Sequence, residues 1–105
     1  MTRSYVLTQS AAADLREITR YSIKQWGEAQ TRTYIAKLEQ SVEALAKGEG
    51  FYKDWSELHP GLRMVLCEHH YVFCLPRHAV PALVVALLHE RMDIMARLKA
   101  RLSIT

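Results

Sequence analysis

The chain has 105 residues, 50% of them hydrophobic and 24% charged, with a formal net charge of +3 and an isoelectric point near 9.0. That length suits one domain, 1–105, able to bury roughly 60–70% of its unfolded surface, and the apolar fraction excludes a disordered chain. The longest apolar run, Ala79 to Leu88, is interrupted by Pro81 and falls short of the ~20 residues of a membrane span. Met1-Thr2-Arg3-Ser4-Tyr5 lacks the apolar stretch of a signal peptide, so a cytoplasmic protein without a membrane partner is expected.

Tyr5-Val6-Leu7-Thr8 is short and rich in β-formers, and it predicts an opening strand. Ser10 before Ala11-Ala12-Ala13-Asp14-Leu15 predicts a capped helix start, with Asp14 complementing the positive helix end. Leu15, Ile18, Ser22 and Trp26 fall on one helical face, and Arg16, Arg20 and Lys24 form a solvated row on another. Gly27 stops this helix. A second helix is predicted from about Glu28 to Lys47, with Thr31, Tyr34, Ile35, Leu38, Val42 and Leu45 as its inner stripe, ending at Gly48 and Gly50. Two helices joined at one glycine make a helical hairpin.

Residues 48–61 read as a loop, although Phe51, Tyr52 and Trp55 give part of it reason to pack on the core. From Leu62 the period changes to two. Leu62–Cys67 and Tyr71–Leu75 flank Glu68-His69-His70, and a hairpin centred on Glu68–His69 pairs residues whose numbers sum to 137. One face then holds Leu62 with Leu75, Met64 with Phe73 and Leu66 with Tyr71. The other holds Arg63 with Cys74, Val65 with Val72 and Cys67 with His70. The first face is wholly apolar and is expected against the helices; the second is mixed and is expected toward solvent or a partner. A tight turn and a four-residue loop both preserve this register.

Pro76 and Pro81 bracket a turn. Ala82 to Leu88 is apolar on both faces, as a central strand is. His89 to Asp93 leaves the strand, and Ile94, Leu98 and Leu102 line one side of a final short helix. The expected class is α+β. It has an N-terminal strand, then a two-helix antiparallel hairpin on a mainly antiparallel four-stranded sheet (β-α-α-β-β-β), and a short C-terminal helix or tail. Cys67 and Cys74 read as small packed side chains in neighbouring strands. The sequence has no C-x-x-C and no second Cys/His pair at zinc-finger spacing, and neither a metal nor another cofactor is expected.

Several residues recur in an order that resembles the ParE/RelE toxins of bacterial toxin–antitoxin systems, and within them the ParE-like branch. They are Tyr5-x-Leu7-Thr8, Ala12-x-Asp14-Leu15-x-x-Ile18, Tyr21, Trp26-Gly27, a second helix ending in Leu45, Gly61-Leu62-Arg63, His70-x-x-Phe73 and Leu88-His89-x-Arg91-Met92-Asp93. Each is unspecific alone; the ordered combination spans nearly the whole chain and is specific. Cys74 departs from the pattern, which usually has an aromatic there. The resemblance implies a helical hairpin on an antiparallel sheet and a cognate, ParD-like or analogous antitoxin. For ParE-like toxins it implies poisoning of DNA gyrase; for RelE-like ones, ribosome-dependent cleavage of messenger RNA.

These activities need different chemistry. RNA cleavage by a 2′-hydroxyl requires an activating group, cations at the phosphate and an acid for the leaving oxygen. RelE-like nucleases draw a Lys/Arg cluster from the sheet and a Tyr or His near the C-terminus. Here Arg63, Arg77, His70, His89 and Arg91 are on offer, and no tyrosine follows Tyr71. The set looks incomplete, so no catalytic residue is assigned and a non-enzymatic gyrase inhibitor is the first expectation. A RelE-like nuclease and a toxin-fold relic that only binds an antitoxin are the alternatives. Target contact is expected from Arg63, His89, Arg91, Met92, Asp93, Arg97, Lys99 and Arg101, and antitoxin contact from Met64, Trp26, Tyr34, Met92 and Met95. Each has a plainer reading: Arg63 balancing Glu68, or Asp93 capping the tail helix and accepting from Arg91. Residues 86–105 hold four basic and two acidic residues, so most of the +3 lies in the tail. That placement suits a protein partner rather than sequence-specific binding of nucleic acid.

Overall fold

In a computed structural model, residues 4–102 are described. Strand β1 (Tyr5–Leu7) runs into helix α1 (Gln9–Lys47). Then follow β2 (Lys53–Asp54), β3 (Arg63–Cys67), β4 (His70–Leu75), β5 (Ala82–His89) and helix α2 (Ile94–Leu102). The strands form one sheet in the order β1-β5-β4-β3-β2. The class is α+β as expected, but the sheet has five strands and is mixed, because β1 pairs with β5 in parallel. Short β2 lies inside the expected loop, where Lys53 and Asp54 pair with Met64 and Arg63.

The start of α1 differs by two residues from the sequence reading. The cap is Thr8, not Ser10: its hydroxyl accepts from the Ala11 N–H at 3.0 Å. The Thr8 N–H also donates to the Val84 carbonyl, so one residue ends the sheet edge and begins the helix. Gly27 does break the helical path, but without a loop. At φ 83° and ψ 173° it joins arms 9–26 and 28–47 directly, in a region of backbone space that is essentially glycine's alone.

The β3–β4 register is the one the alternation predicts, from Arg63↔Cys74 to Cys67↔His70. The assignment of its faces is reversed. α1 covers the mixed face: Ile18, Leu38, Val42 and Leu45 pack with Val72, Cys74 and Val84, with Val65 and Cys67 alongside. The wholly apolar face, with Leu62 and Phe73, packs instead under α2 and the segment around Trp55 and Leu58, whose Trp55 ring stacks on Phe73. The mixed face tolerates burial because its polar groups find partners in α1. Arg63 donates to the Leu45 carbonyl at 3.1 Å, and His70 meets the Tyr34 hydroxyl at 2.6 Å.

β5 is an interior strand between β1 and β4, apolar on both sides. Between Phe73↔Ala86 and Cys74↔Val84 it carries one extra residue, Val85, a β-bulge that switches which parity faces which layer. Leu83, Ala86 and Leu88 belong to the α2 side, whereas Val84 and Leu87 belong to the α1 side. Both cysteines are free; Cys74 is buried and Cys67 half-buried.

Candidate functional site

Beyond His89 the chain makes a tight turn that launches α2. The Met92 N–H donates to the His89 carbonyl at 3.0 Å, and the Arg91 N–H to His89 Nδ1 at 3.1 Å. Asp93 Oδ1 then accepts from the Ala96 N–H at 3.1 Å, which caps α2. His89 and Asp93 thus shape the turn, while Arg91 and Met92 project from it, exposed.

α2 buries Leu98 completely, with Ile94 and Leu102 beside it, on the core that Phe73 and Leu88 form. Met95, Arg97 and Lys99 are exposed. Arg101 turns inward. Its guanidinium grips Asp14 at 2.7 and 2.8 Å and donates to the Val85 carbonyl at 3.1 Å. The expected target-contact residues therefore separate into two groups. Arg91 and Met92 on the turn and Met95, Arg97 and Lys99 on α2 are exposed, whereas Arg101 is engaged within the fold.

Arg63 lies apart from that surface. Its guanidinium sits beneath the left-handed Gly48, donates to the Leu45 carbonyl at the C-terminal end of α1, and stacks over Tyr52 with 5.0 Å to the ring centre. A cation there complements the negative end of the helix. It does not pair with Glu68, which accepts from Lys37 at 3.2 Å.

At the other end of the β3–β4 hairpin the histidines gather. His70 and His89 meet edge to face at 5.0 Å, and His69 and His89 stack at 6.2 Å. His69 pairs with Glu90 at 2.7 Å. The Tyr34 hydroxyl accepts from the His69 N–H at 3.2 Å and shares a hydrogen bond of 2.6 Å with His70 Nδ1. Burial, then the neighbouring His89 and His69, push His70 down to about 4, and burial pushes Tyr34 up. His70 is therefore uncharged at neutral pH, and a group titrating near 4 is a weak base there. Arg63 and Cys67, the partner of His70, stand at opposite ends of β3, four residues or ~13 Å apart along the strand. Arg63 and His70 do not converge on one phosphate. Among the described residues no group of three or more His, Cys, Asp or Glu side chains is placed to hold a metal ion.

The expected antitoxin-contact residues are also spread. Trp26 at the helical turn is 44% exposed, with Tyr21 and Ile23 exposed beside it, and Tyr34 packs against it half-buried. Met92 and Met95 are exposed on the α2 side, and Met64 is part-buried in the core beneath α2.

The family profile described as the ParE toxin of type II toxin–antitoxin systems, parDE, matches residues 5–94. The chain belongs to the ParE toxin family. It is 66% identical over 99 residues to Toxin ParE of Escherichia coli, covering 94% of this chain and 96% of that protein. Toxin ParE1 of Caulobacter vibrioides is 31% identical over 96 residues, with 91% and 98% covered. A solved chain from the chromosomal ParDE TA system of P. aeruginosa shares the fold, with a TM-score of 0.66 at 17% identity, covering 84% of this chain and 96% of that one. The ParE family match ends at Ile94, the first residue of α2.

Two residues of this ParE chain escaped the sequence reading. Asp14 was visible as part of a motif, but its partners Leu87 and Arg101 lie 73 and 87 residues away. Tyr52 looked like loop packing rather than the platform for Arg63. No local signal marks either role.

Proposed function

We propose that this ParE-family toxin arrests growth by binding DNA gyrase through protein contacts rather than by cleaving RNA, and that a ParD-like antitoxin neutralises it in the cytoplasm. The observation that carries this reading is how the cations are used. Arg63, the sheet arginine a nuclease would need, is spent on helix carbonyls and Tyr52, while Arg91, Arg97 and Lys99 are exposed, as are Met92 and Met95. A cationic surface with adaptable thioethers suits an acidic protein partner better than a reacting phosphate. His89 and Asp93 set the turn that presents it, and the whole chain acts as one domain. Antitoxin contact falls to the exposed Trp26 tip with Tyr34 and to Met92 and Met95; Met64, part-buried, contributes at the margin.

The test is induction of the chain with and without its antitoxin, followed by gyrase supercoiling and cleavage assays beside transcript-end mapping. Gyrase inhibition with intact transcripts is expected. Codon-positioned cuts with normal gyrase would establish the RelE-like reading instead, and unimpaired growth would leave a relic that only binds its partner.

A further inference from the structure

Beyond Leu7, β1 no longer runs beside β5, and two backbone groups of β5 are met by side chains instead. The Leu87 N–H donates to Asp14 Oδ2 at 2.9 Å, and the Val85 carbonyl accepts from Arg101 Nη1 at 3.1 Å. Asp14 and Arg101 then close on each other through two contacts of 2.7 and 2.8 Å, with side chains only 15% and 20% exposed. This pair ties the second turn of α1, the bulge of β5 and the last turn of α2 at one point.

α2 depends on such a tie. Its nine residues are too few for a stable isolated helix. It carries Arg97, Lys99 and Arg101 and no acidic residue, so no i,i+4 ion pair supports it. Ile94, Leu98 and Leu102 hold it down, but apolar contact is non-directional and leaves rotation and sliding poorly fixed. A planar guanidinium held by a carboxylate at two points and by a carbonyl at a third is directional.

We propose that Asp14 and Arg101 are positioning residues: their clasp sets the rotation and register of α2, and with them where its exposed Arg97 and Lys99 stand when they meet an acidic protein surface. This rests on the gyrase-binding reading above and adds what holds the binding surface in place.

The test uses the full chain in three variants: Asp14→Asn, Arg101→Lys, and Arg97→Glu with Lys99→Glu. Amide exchange is followed in α2 and in the Leu38–Leu45 stretch of α1, and inhibition of purified gyrase is titrated. Asp14→Asn and Arg101→Lys are expected to speed exchange in α2 by roughly tenfold or more, to leave Leu38–Leu45 protected, and to weaken inhibition by a similar factor. The double glutamate variant is expected to weaken inhibition with α2 still protected. Full inhibition by Asp14→Asn while the glutamate variant fails overturns the clasp alone. Full inhibition by the glutamate variant overturns the reading of the surface itself. If Asp14→Asn does not fold, Arg101→Lys, which keeps the charge and loses the fork, decides the clasp by the same two readouts.

Discussion

The two faces of the sheet are closed by very different means. α1 lays two long arms across one face and leaves Val72, Cys74, Val84 and Leu87 buried, with the polar groups on that side bonded to the helix. On the other face nine residues of α2 and a short stretch around Trp55 and Leu58 do the covering, and the cover is incomplete. Leu66 is 46% exposed, and Met92 and Met95 are 40% and 39% exposed. The apolar face is thus the less securely closed, while the mixed face is sealed. Sealing follows the length of the covering element and the matching of polar groups, not the apolarity of the surface beneath.

That contrast fixes the largest expected effects. Leu38→Ala, at a site 1% exposed under α1, is expected to cost about 2–5 kcal/mol and to lower the thermal midpoint of the whole fold. Leu98→Ala, equally buried under α2, is expected to cost the global fold less, about 1–2 kcal/mol, because a short helix undocks locally before the rest melts. Thermal unfolding with amide exchange checks both. Equal global losses, or uniform loss of protection after Leu98→Ala, would show that the two faces are one cooperative unit.

Arg63 gives a second, smaller contrast, between a residue read for its charge and one that holds the fold. Its bonds to the end of α1 are charged hydrogen bonds, so Arg63→Met is expected to cost roughly 1.5–3 kcal/mol. Toxicity should fall only as far as the folded fraction does. A variant of unchanged stability that is no longer toxic would move Arg63 from scaffold to target contact.

Much of the first face was written in the sequence. The α1 stripe from Thr31 to Leu45, the break at Gly27 and the β3–β4 register each follow from a local period or a single glycine. Which layer covered which side of the hairpin was not legible. The answer rested on Arg63 reaching a carbonyl 18 residues away and His70 a hydroxyl 36 residues away. Likewise no glycine or proline marks the bulge at Val85, and nothing near Asp14 announces an arginine 87 residues on. Of the candidate site, the exposed cations were legible from charge alone. The inward turn of Arg101 was not, because a basic helical residue looks the same in sequence whether it faces water or a carboxylate.

The smallest expected effect concerns the histidine corner, where the sealed face meets the turn that presents Arg91 and Met92. Folding lowers His70 from its ordinary 6.5 to about 4, so the folded state binds that proton less readily than the unfolded chain does. Stability linked to His70 is present above pH 6.5 and falls as the pH drops toward 4. The carboxyls of Glu43, Asp54 and Glu90 are also held below their ordinary values, which lie at or under 4.5, so their losses begin lower. Between pH 6.5 and 4.5 the slope therefore reports mainly on His70. Replacing it with a residue that does not titrate, His70→Gln, is expected to flatten denaturant-measured stability across that interval while lowering its neutral-pH value through loss of the Tyr34 bond. An unchanged slope in the variant would take the acid sensitivity away from His70 and its bond to Tyr34.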